Sequence, residues 1–435
     1  MKPINVGLLG IGTVGGGVFA VLKRNADEIT RRAGREIRIT AVADKDIERA
    51  RRHAGGTVKV TDDAFSVTRD SDIDIVVELI GGTAVAKDLV LSAIENGKHV
   101  VTANKALLAV HGNEIFAAAR RRDVMVAFEA AVAGGIPIIK ALREGLSANR
   151  IEWVAGIING TTNFILSEMR SKGLAFGEVL KEAQRLGYAE ADPTFDIEGV
   201  DAAHKATIMS AIAFGIPMQF DKAHIEGISK LESVDIAYAE QLGYRIKLLG
   251  IARKRQEGIE LRVHPALVPA SRLIANVEGA MNAVLVQGDA VGATLYYGKG
   301  AGAEPTASAV IADLVDITRL HTADPEHRVP HLAFQPDQMR DVPVLPIGET
   351  LTSYYLRMRV LDQPGVLADI TRILADSQIS IDAMVQHEAD EGESQTDIIL
   401  LTHQTIEKNA DAAIARIESL DSVLGKVTRL RLEEL

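Results

Sequence analysis

The sequence predicts an α/β fold in three parts: a doubly wound parallel sheet, an α+β domain and a small ferredoxin-like domain. Up to about residue 130, apolar strands alternate with amphipathic helices, the pattern of a parallel sheet covered by helices. Five of the 13 prolines fall within residues 321–352 and indicate a break in the fold. Residues 353–435 then show strands and helices in the order βαββαβ.

The composition is that of an ordinary globular protein, with 47% hydrophobic and 25% charged residues among 435 positions. A chain of this length has room for about two to four domains. The net charge of −11, without a basic tract, argues against a nucleic-acid partner. Residues 1–10 have the pattern of a buried strand rather than a signal peptide, and no stretch is long enough to span a membrane. We therefore expect no membrane partner.

Cysteine is absent from the sequence. Its absence excludes disulfides and thiolate metal sites and fits the reducing cytoplasm, where we expect the protein to act. It also excludes the thiol nucleophile on which aldehyde dehydrogenases with a thioester intermediate depend.

The first predicted domain covers residues 1–134, and we expect residues 303–320 to return to it. Its predicted strands are Ile4–Leu9, Ile37–Ala43, Ile73–Leu79, His99–Ala103 and Val124–Phe128. The first strand runs directly into Gly10, Gly12 and Gly15, and a helix follows. Such glycines permit a tight turn, admit a pyrophosphate and let the helix pack close to the sheet. In this strand–turn–helix context the motif predicts a Rossmann-type dinucleotide site, which also includes Thr13 and Val14, rather than a turn without a ligand.

The end of the second predicted strand bears on the choice between NAD and NADP. Asp44 stands where an acid binds the adenosine ribose hydroxyls, which favours NAD. Its distance from Gly15 is longer than usual and implies a long first helix. Lys45 and Arg49 follow closely and could instead meet a 2′-phosphate, so both cofactors remain open. Arg51 and Arg52 fit a solvated helix face better.

Further candidate residues follow a later strand of this domain. The segment from Thr102 to Lys105 lies at the carboxyl end of a parallel strand, where ligands bind in such sheets. Lys105 could hold an anionic group or move a proton, although a surface position is the commoner fate of a lysine.

Residues 135–302 form the predicted second domain, of mixed strands and helices. We expect a strand at Ile151–Asn159, helices at Thr161–Arg170, Phe176–Leu186 and Glu198–Phe214, and further strands within Ile259–Leu295. The proline-rich residues 321–352 are predicted to be a linker, with an irregular packed segment as the alternative for their first half.

Two segments of the second domain carry chemistry. The acidic loop 186–196 leads into a helix on which Asp201 and Lys205 share one face. An apolar sequence follows Lys205, and partial burial there would lower its pKa and suit a general acid. The alternative is an ordinary surface ion pair. A second glycine-rich turn, at 298–306, precedes a helix and suits another wall of the site.

Residues 353–435 read as a self-contained unit. We predict strands at Tyr354–Val360, around Ile379–Val385, at Ile398–Leu401 and in the last dozen residues, with helices at Pro364–Ala375 and Ile406–Leu420.

Taken together, these segments resemble the homoserine dehydrogenase family over nearly the whole chain. The most specific matches are Gly156–Leu166, Leu186–Lys205 and Gly298–Thr306, in this order behind the dinucleotide turn. The resemblance implies a reversible NAD(P)-dependent reduction of L-aspartate 4-semialdehyde to L-homoserine, on the pathway to threonine, methionine and isoleucine.

The resemblance also implies roles for individual residues. Lys205 and Lys105 match the catalytic lysines, with Lys205 as the proton donor to the aldehyde oxygen. Glu190 and Asp201 match substrate-binding positions, and we assign Asp196 and Gly187 to the substrate as well. Thr102, Lys105 and Gly302 match cofactor contacts. The expected transition state agrees, because cationic donors stabilise negative charge that develops on the carbonyl oxygen.

Two further sites are implied only by the resemblance. Glu129 and the backbone carbonyls of Val132, Gly134 and Ile136 match a site for a monovalent cation, Na⁺ or K⁺. Residues 353–435 resemble an ACT domain, which implies L-threonine as an amino-acid effector. Its loop would consist of Asp362, Gln363, Gly365, Val366 and Leu367, with Ile379 and Ile381 opposite.

Alternatives remain at this stage. The last domain could pair two chains without binding a ligand. The whole protein could be another nicotinamide enzyme acting on an amino-acid aldehyde or keto acid, or a sensor that has lost catalysis. The expected assembly is a homodimer, or a homotetramer if the ACT domains also pair.

Overall fold

The computed structural model describes residues 2–325, 328–387 and 393–435. In this part of the chain, six parallel strands form the first sheet, in the order β3-β2-β1-β4-β5-β6. The strands are β1 (Ile4–Leu9), β2 (Ile37–Ala43), β3 (Lys59–Thr61), β4 (Ile75–Glu78), β5 (His99–Thr102) and β6 (Val126–Ala127). The helices are α1 (Thr13–Arg24), α2 (Ala26–Ala33), α3 (Ile47–Ala54), α4 (Ala64–Arg69), α5 (Ala84–Glu95) and α6 (Lys105–Arg121). The predicted doubly wound sheet is confirmed, with its strand order reversing between β1 and β4.

The first helix differs from the prediction. Instead of one long helix, α1 ends at Arg24 and α2 begins at Ala26. Asn25 lies at the break: its N–H donates to the Val21 carbonyl, and its own carbonyl accepts from Ile29 N. The extra sequence before β2 is therefore used by a second short helix.

The second domain is built on an antiparallel sheet. It contains α7 (Ile138–Lys140), β7 (Ile151–Ile157), α8 (Gly160–Lys172), α9 (Phe176–Arg185), α10 (Thr194–Ile197), α11 (Val200–Phe214), β8 (His224–Ile225), α12 (Ser233–Gln241), β9 (Tyr244–Lys254), β10 (Ile259–Pro269), β11 (Met281–Gly288) and β12 (Gly292–Lys299). Strands β12, β11, β7, β9 and β10 are neighbours in that order. Helix α11 packs against them with Ala206 and Met209 buried in the core.

The sequence did not predict the short elements α7, α10 and β8 or the longer elements β9 and α12. Strand β9 is buried on both faces along most of its length, so its residues do not alternate between apolar and polar. Helix α12 has only three buried residues, one of them an aspartate, and shows little apolar periodicity.

Helix α13 (Ala303–Leu320) returns to the first domain and packs against α1. Val310 and Leu314 of α13 share a core with Val18 of α1. The two helices approach closely at Gly17, where a Cβ would lie 2.5 Å from the Ala303 carbonyl oxygen.

The proline-rich segment lies against the first two domains. His331 Nε2 accepts a hydrogen bond from Val126 N at 3.1 Å, beside the edge strand β6. Leu332 is buried, and Val344 pairs with Ile259 of β10. The described part of the segment therefore follows the surface of the first two domains and makes specific contacts with them.

The third domain has the predicted ferredoxin-like order. It comprises β13 (Leu351–Thr352), β14 (Tyr354–Leu361), α14 (Val366–Asp376), β15 (Ile381–Gln386), β16 (Gln395–Thr402), β17 (Thr405–Ile406), α15 (Glu407–Ile417) and β18 (Thr428–Leu432). Strands β18, β14, β16 and β15 form its sheet, and both helices pack on it around Leu356, Ile370 and Ile398.

The sequence predicted that this domain is self-contained, and that prediction is wrong. Strand β18 pairs in parallel with β10, Ala266 opposite Arg431, so one mixed sheet runs through the second and third domains. Glu433 N continues the pairing by donating to the Leu267 carbonyl at 2.9 Å. Backbone groups along β10 thereby find partners in the third domain.

Charged side chains are buried where the two domains meet. Arg262 of β10 is 1% exposed, and its guanidinium pairs with Glu433 and, at 3.1 Å, with Glu260. Arg253 of β9 lies 3.4 Å from the other oxygen of Glu433. A buried charge is tolerated only when such partners surround it, so these groups tie the domains together.

No helix in the described residues has both the length and the apolar character needed to cross a membrane.

The buried pair predicts a stability difference between two glutamate variants. Glu433→Gln removes the partner of a buried guanidinium and should lower the free energy of unfolding by about 3 kcal/mol. Glu393→Gln removes a half-exposed partner of Arg359 and should cost less than about 1 kcal/mol. Denaturant titration followed by circular dichroism measures both, and equal losses would contradict the assigned role of Glu433.

Candidate active site

The glycine turn after β1 has the geometry that a dinucleotide site requires. Gly10 has a φ of +94°, and a Cβ there would lie 2.8 Å from the Leu79 carbonyl oxygen. A Cβ at Gly15 would overlap the Gly10 carbonyl, so α1 can pack this close only with glycine. A Cβ at Gly12 would meet nothing within 4 Å. Gly12 therefore faces open space at the N-terminus of α1, where the N–H groups of Thr13 and Val14 lack helical acceptors.

Asp44 closes the other side of this turn. Its carboxylate accepts from Ile11 N at 2.7 Å, from Asp46 N at 2.8 Å and from Arg49 at 2.9 Å. Burial would raise the pKa of Asp44, but these hydrogen bonds outweigh it and lower the pKa. Lys45 is exposed. The acid that favours NAD and the arginine suited to a 2′-phosphate are thus paired with each other.

Thr102, predicted to contact the cofactor, is fully buried in a hydrogen-bonded network at the end of β5. Its hydroxyl donates to Glu78 Oε2 at 2.7 Å and accepts from Asn104 N at 3.0 Å. Glu78 also accepts from Ile80 N, and Asn104 donates to the Gly82 carbonyl. Glu78 and Asn104 were not predicted, although both stand at strand ends, and they fix the two loops that border the crevice.

Lys105 and Lys205 meet at one buried carboxylate. Asp201 Oδ1 lies 3.2 Å from Lys105 Nζ, and Asp201 Oδ2 lies 2.6 Å from Lys205 Nζ. Lys205 also donates to the Ile158 carbonyl at 2.7 Å. Lys105 begins α6 of the first domain, whereas the other two residues lie on α11, so this arrangement spans the crevice between the domains.

Burial and charge set the protonation of these groups. Burial would raise the pKa of Asp201, but the charges of Lys205 and Lys105 hold it at about 2. Burial lowers the pKa of Lys205. The charge of Asp201 raises this pKa and the charge of Lys105 lowers it, and the net effect is a lowered pKa. Lys205 is 12% exposed. An ammonium group with a lowered pKa, partly open to the crevice, is suited to general-acid chemistry.

Asp196 joins this cluster through Asn159. Asn159 Nδ2 donates to Asp196 Oδ1 at 2.7 Å and to Asp201 Oδ2 at 2.8 Å, and its Oδ1 caps α8 at Thr162 N. Burial and the charge of Asp201 raise the pKa of Asp196. Asn159 was not predicted as a site residue, although it stands in the most specific motif of the sequence.

Glu190 and Gly187 take no part in the hydrogen bonds described above for Asp196, Asn159 and Asp201. Glu190 is exposed in the acidic loop, and Gly187 takes a φ of +78° at the turn that ends α9. The loop is held to the cluster by Thr161, whose hydroxyl donates to the Tyr188 carbonyl at 2.6 Å. Roles for Glu190 and Gly187 stay predictions.

Gly302 and the second glycine-rich turn face the loop that contains Gly134. Gly302 has a φ of +126° and precedes α13. Gly135 N donates to the Lys299 carbonyl at 3.0 Å, and a Cβ at Gly134 would overlap the Gly300 carbonyl oxygen. The two loops therefore pack backbone to backbone at the domain junction.

Glu129 lies beside this junction. Its carboxylate accepts from Ile139 N and Lys140 N, both at 2.9 Å. Burial and the charge of Asp313 raise the pKa of Glu129 to about 7. The Ile136 carbonyl accepts from Ile138 N. No cluster of three or more acidic or imidazole ligands occurs in the described residues, so any cation here would depend on backbone carbonyls such as those of Val132 and Gly134.

The predicted effector loop connects β14 and α14. Asp362, Gln363 and Gly365 are exposed, with Gly365 at a φ of +101° as the N-cap. Val366 and Leu367 open the helix. Ile379 is buried in the core of the domain, and Ile381 begins β15.

Three family models match successive parts of the chain. The family model described as homoserine dehydrogenase matches residues 137–315, that of the homoserine dehydrogenase NAD-binding domain matches residues 10–129, and that of the ACT domain matches residues 354–422. A homoserine dehydrogenase of Pseudomonas aeruginosa is 63% identical over the full length of both chains.

Solved structures agree. A homoserine dehydrogenase from Thiobacillus denitrificans is 72% identical, with a TM-score of 0.95 over 100% of this chain and 99% of that one. The S. aureus homoserine dehydrogenase is 32% identical, with a TM-score of 0.77 over 100% of both chains.

The glycine turn predicts different effects for two alanine variants. Gly12→Ala adds a methyl group in open space, so thermal unfolding should be unchanged while the KM for the dinucleotide rises at least about tenfold. Gly15→Ala should lower the melting temperature because its Cβ overlaps the protein backbone. Differential scanning fluorimetry and initial-rate kinetics separate the two, and a normal dinucleotide KM for Gly12→Ala would place the cofactor elsewhere.

Proposed function

The chain belongs to the homoserine dehydrogenase family, and on that premise we propose that it interconverts L-aspartate 4-semialdehyde and L-homoserine with NAD(P) as cofactor. This reaction would place the enzyme on the route to threonine, methionine and isoleucine. The observation that carries the proposal is the buried carboxylate of Asp201 between two lysines from different domains. The oxidoreductase family supplies the reaction class, and this arrangement supplies groups for a small polar aldehyde.

Lys205 is the proposed proton donor. Two of its three N–H groups are directed at Asp201 and the Ile158 carbonyl, and we assign the third to the substrate oxygen. When bound, the dinucleotide would supply the hydride that the carbonyl carbon accepts in the reduction. As negative charge develops on the oxygen, Lys205 stabilises it and transfers its proton, and the lowered pKa of Lys205 favours that transfer. Lys105 adds positive charge at the same place.

Carboxylates around the lysines suit the amino-acid end of the substrate. We assign the substrate ammonium to Glu190 and Asp196 and the hydroxyl end to Asp201, with the backbone around Gly187 at the rim. Asp196 is half-buried and has only partial compensation from Asn159 and Thr161. A substrate ammonium would complete its pairing.

We propose that the enzyme uses both NAD and NADP. Thr102, Lys105 and Gly302 lie at the proposed nicotinamide side, and Asp44 lies at the ribose side. The pairing of Asp44 with Arg49 supports dual use, because Arg49 can turn from Asp44 to a 2′-phosphate. Initial rates of homoserine oxidation with each cofactor test both the reaction and this preference, and the absence of oxidation with either would refute the proposed function.

A monovalent cation at Glu129 belongs to the same proposal. Burial and the charge of Asp313 disfavour the ionised form of this carboxylate and raise its pKa, and a bound cation would stabilise that form. The carbonyls of Val132, Gly134 and Ile136 would provide the hard oxygen ligands that Na⁺ or K⁺ prefers.

The ACT domain is the proposed site of feedback by L-threonine, at Asp362–Leu367 and Ile379–Ile381. ACT pairing would occur along β15, the last strand of its sheet, where Met384 is 47% exposed. At the opposite end of the same sheet, β12 is also an edge and Tyr297 is 58% exposed. Two such edges in one chain support a homodimer that can extend to a homotetramer.

Removal of the proposed proton donor should affect the rate rather than cofactor binding. We expect Lys205→Ala to lower kcat by about 10²–10⁴-fold, the range of general acid–base catalysis. NADPH titration followed by fluorescence should give an unchanged Kd. Near-normal turnover in this variant would remove Lys205 from the proposed role.

The effector proposal predicts a variant that escapes inhibition. Asp362→Ala changes an exposed side chain, so uninhibited activity should persist while the threonine concentration for half-inhibition rises at least about tenfold. Asp376→Ala, at the other end of α14, is the matched control and should keep normal inhibition. Truncation before residue 353 is a poor test, since it also removes β18 from β10.

A further inference from the structure

Strands β8 and β18 pair with the same edge of β10, one after the other along its length. Strand β8 pairs with Arg262 and Val263, and β18 pairs with Ala266 and Leu267. Glu226 follows β8 at the point where the edge passes from one strand to the other. There Arg431 of β18 donates to both of its carboxylate oxygens, at 2.8 and 2.9 Å.

The ion pair is firmly held on both sides. His224 Nε2 lies 2.8 Å from Glu226 Oε1. Burial alone would raise the pKa of Glu226, but hydrogen bonds from His224 and Arg431 outweigh it and hold the pKa well below its usual range. Arg431 is 1% exposed and also pairs with Glu407, the first residue of α15. Glu226 is thereby anchored to the third domain.

The residues after Glu226 lie directly against the active site. Ile228 N donates to the Ile197 carbonyl at 2.8 Å. A Cβ at Gly227 would be 2.5 Å from the same carbonyl oxygen and from the Glu198 Cα, so the two backbones are in contact. Ile197 ends α10, the helix that carries Asp196. The Glu198 carboxylate also reaches this point, 2.5 Å from the same Cβ position, but the hydrogen bond from Ile228 to Ile197 joins the two backbones directly, so a shift of residues 226–228 is passed to α10.

We propose that Glu226 is a positioning residue for Asp196, and that Arg431 of the ACT domain determines where Glu226 lies. This inference rests on the proposed function, in which Asp196 contacts the substrate ammonium. The third domain then contributes to substrate affinity through the contact from Arg431 to Glu226, residues 226–228 and α10. It acts on the substrate side of the crevice and leaves the dinucleotide turn untouched.

The first test is Glu226→Gln, which keeps the size of a 32% exposed side chain and removes its charge. We expect the KM for homoserine to rise about five- to tenfold, because displacement of a substrate-binding group by a fraction of an ångström is costly. The kcat and the KM for the dinucleotide should stay within about twofold, since Lys205 keeps its direct hydrogen bonds to Asp201 and the Ile158 carbonyl and Gly12 lies in the first domain. Glu226→Asp keeps the charge and should recover part of the lost affinity.

Arg357→Gln is the matched control. Arg357 of β14 also joins the third domain to the second, through Asp235 at 2.6 Å and Glu232 at 2.7 Å on α12. This variant should lower the melting temperature at least as much as Glu226→Gln and leave the homoserine KM unchanged. An equal rise in homoserine KM would show that any weakening of the domain junction has this effect and would overturn the proposal.

Asp196→Asn separates failure of this inference from failure of the proposed function. If Asp196→Asn raises the homoserine KM and Glu226→Gln does not, the positioning role of Glu226 is wrong and the substrate assignment stands. If Asp196→Asn has no effect, the substrate assignment fails and this inference fails with it. Arg431→Lys, which cannot pair with two carboxylates in the same fork geometry, should match Glu226→Gln and add little to it in the double variant.

Discussion

The carboxylate of Asp201 is the group on which the arrangement of the first two domains depends. A fully buried carboxylate is costly unless cationic and hydrogen-bonding partners surround it, and here they come from both domains. Lys105 brings the N-terminus of α6 to the crevice, and Asn159 brings the start of α8. The same interactions that compensate the charge therefore hold α6 of the first domain against α8 and α11 of the second.

A second group of charges has a different consequence. Arg262, Glu433 and Arg431 are nearly inaccessible at the boundary between the second and third domains. Their desolvation offsets much of their mutual attraction, so their main effect is on specificity. The observed docking of the ACT sheet gives each of these groups a partner, and it also continues the hydrogen bonds of β10. The ACT domain is consequently part of the same sheet against which α11, the helix of Asp201 and Lys205, packs.

The sequence predicted those structural features that depend on residues close together in the chain. It did not predict those that depend on contacts between distant residues. The turn at Gly10 follows from adjacent residues, and the pairing of Asp201 with Lys205 follows from helical spacing, so both were predicted. Strand β9 is buried on two faces and lacks the alternation that reveals a strand. The contact between Glu226 and Arg431 joins residues 205 positions apart, and no pattern near either residue announces it. The independence expected of residues 353–435 failed for the same reason, because the partner of β18 lies in another domain.

The position of β18 also bears on how the chain reaches its folded state. Ala266 is translated long before Arg431, its partner across the sheet. At about 5–20 residues per second, a ribosome leaves the edge of β10 without this partner for roughly ten to thirty seconds. During that interval the unpaired strand and charged side chains that are buried in the folded protein, such as Arg262, face solvent, and this state is prone to aggregation. Nascent chains are expected to depend on chaperone protection at this stage, and slow translation of the region between the two strands would lengthen their exposure.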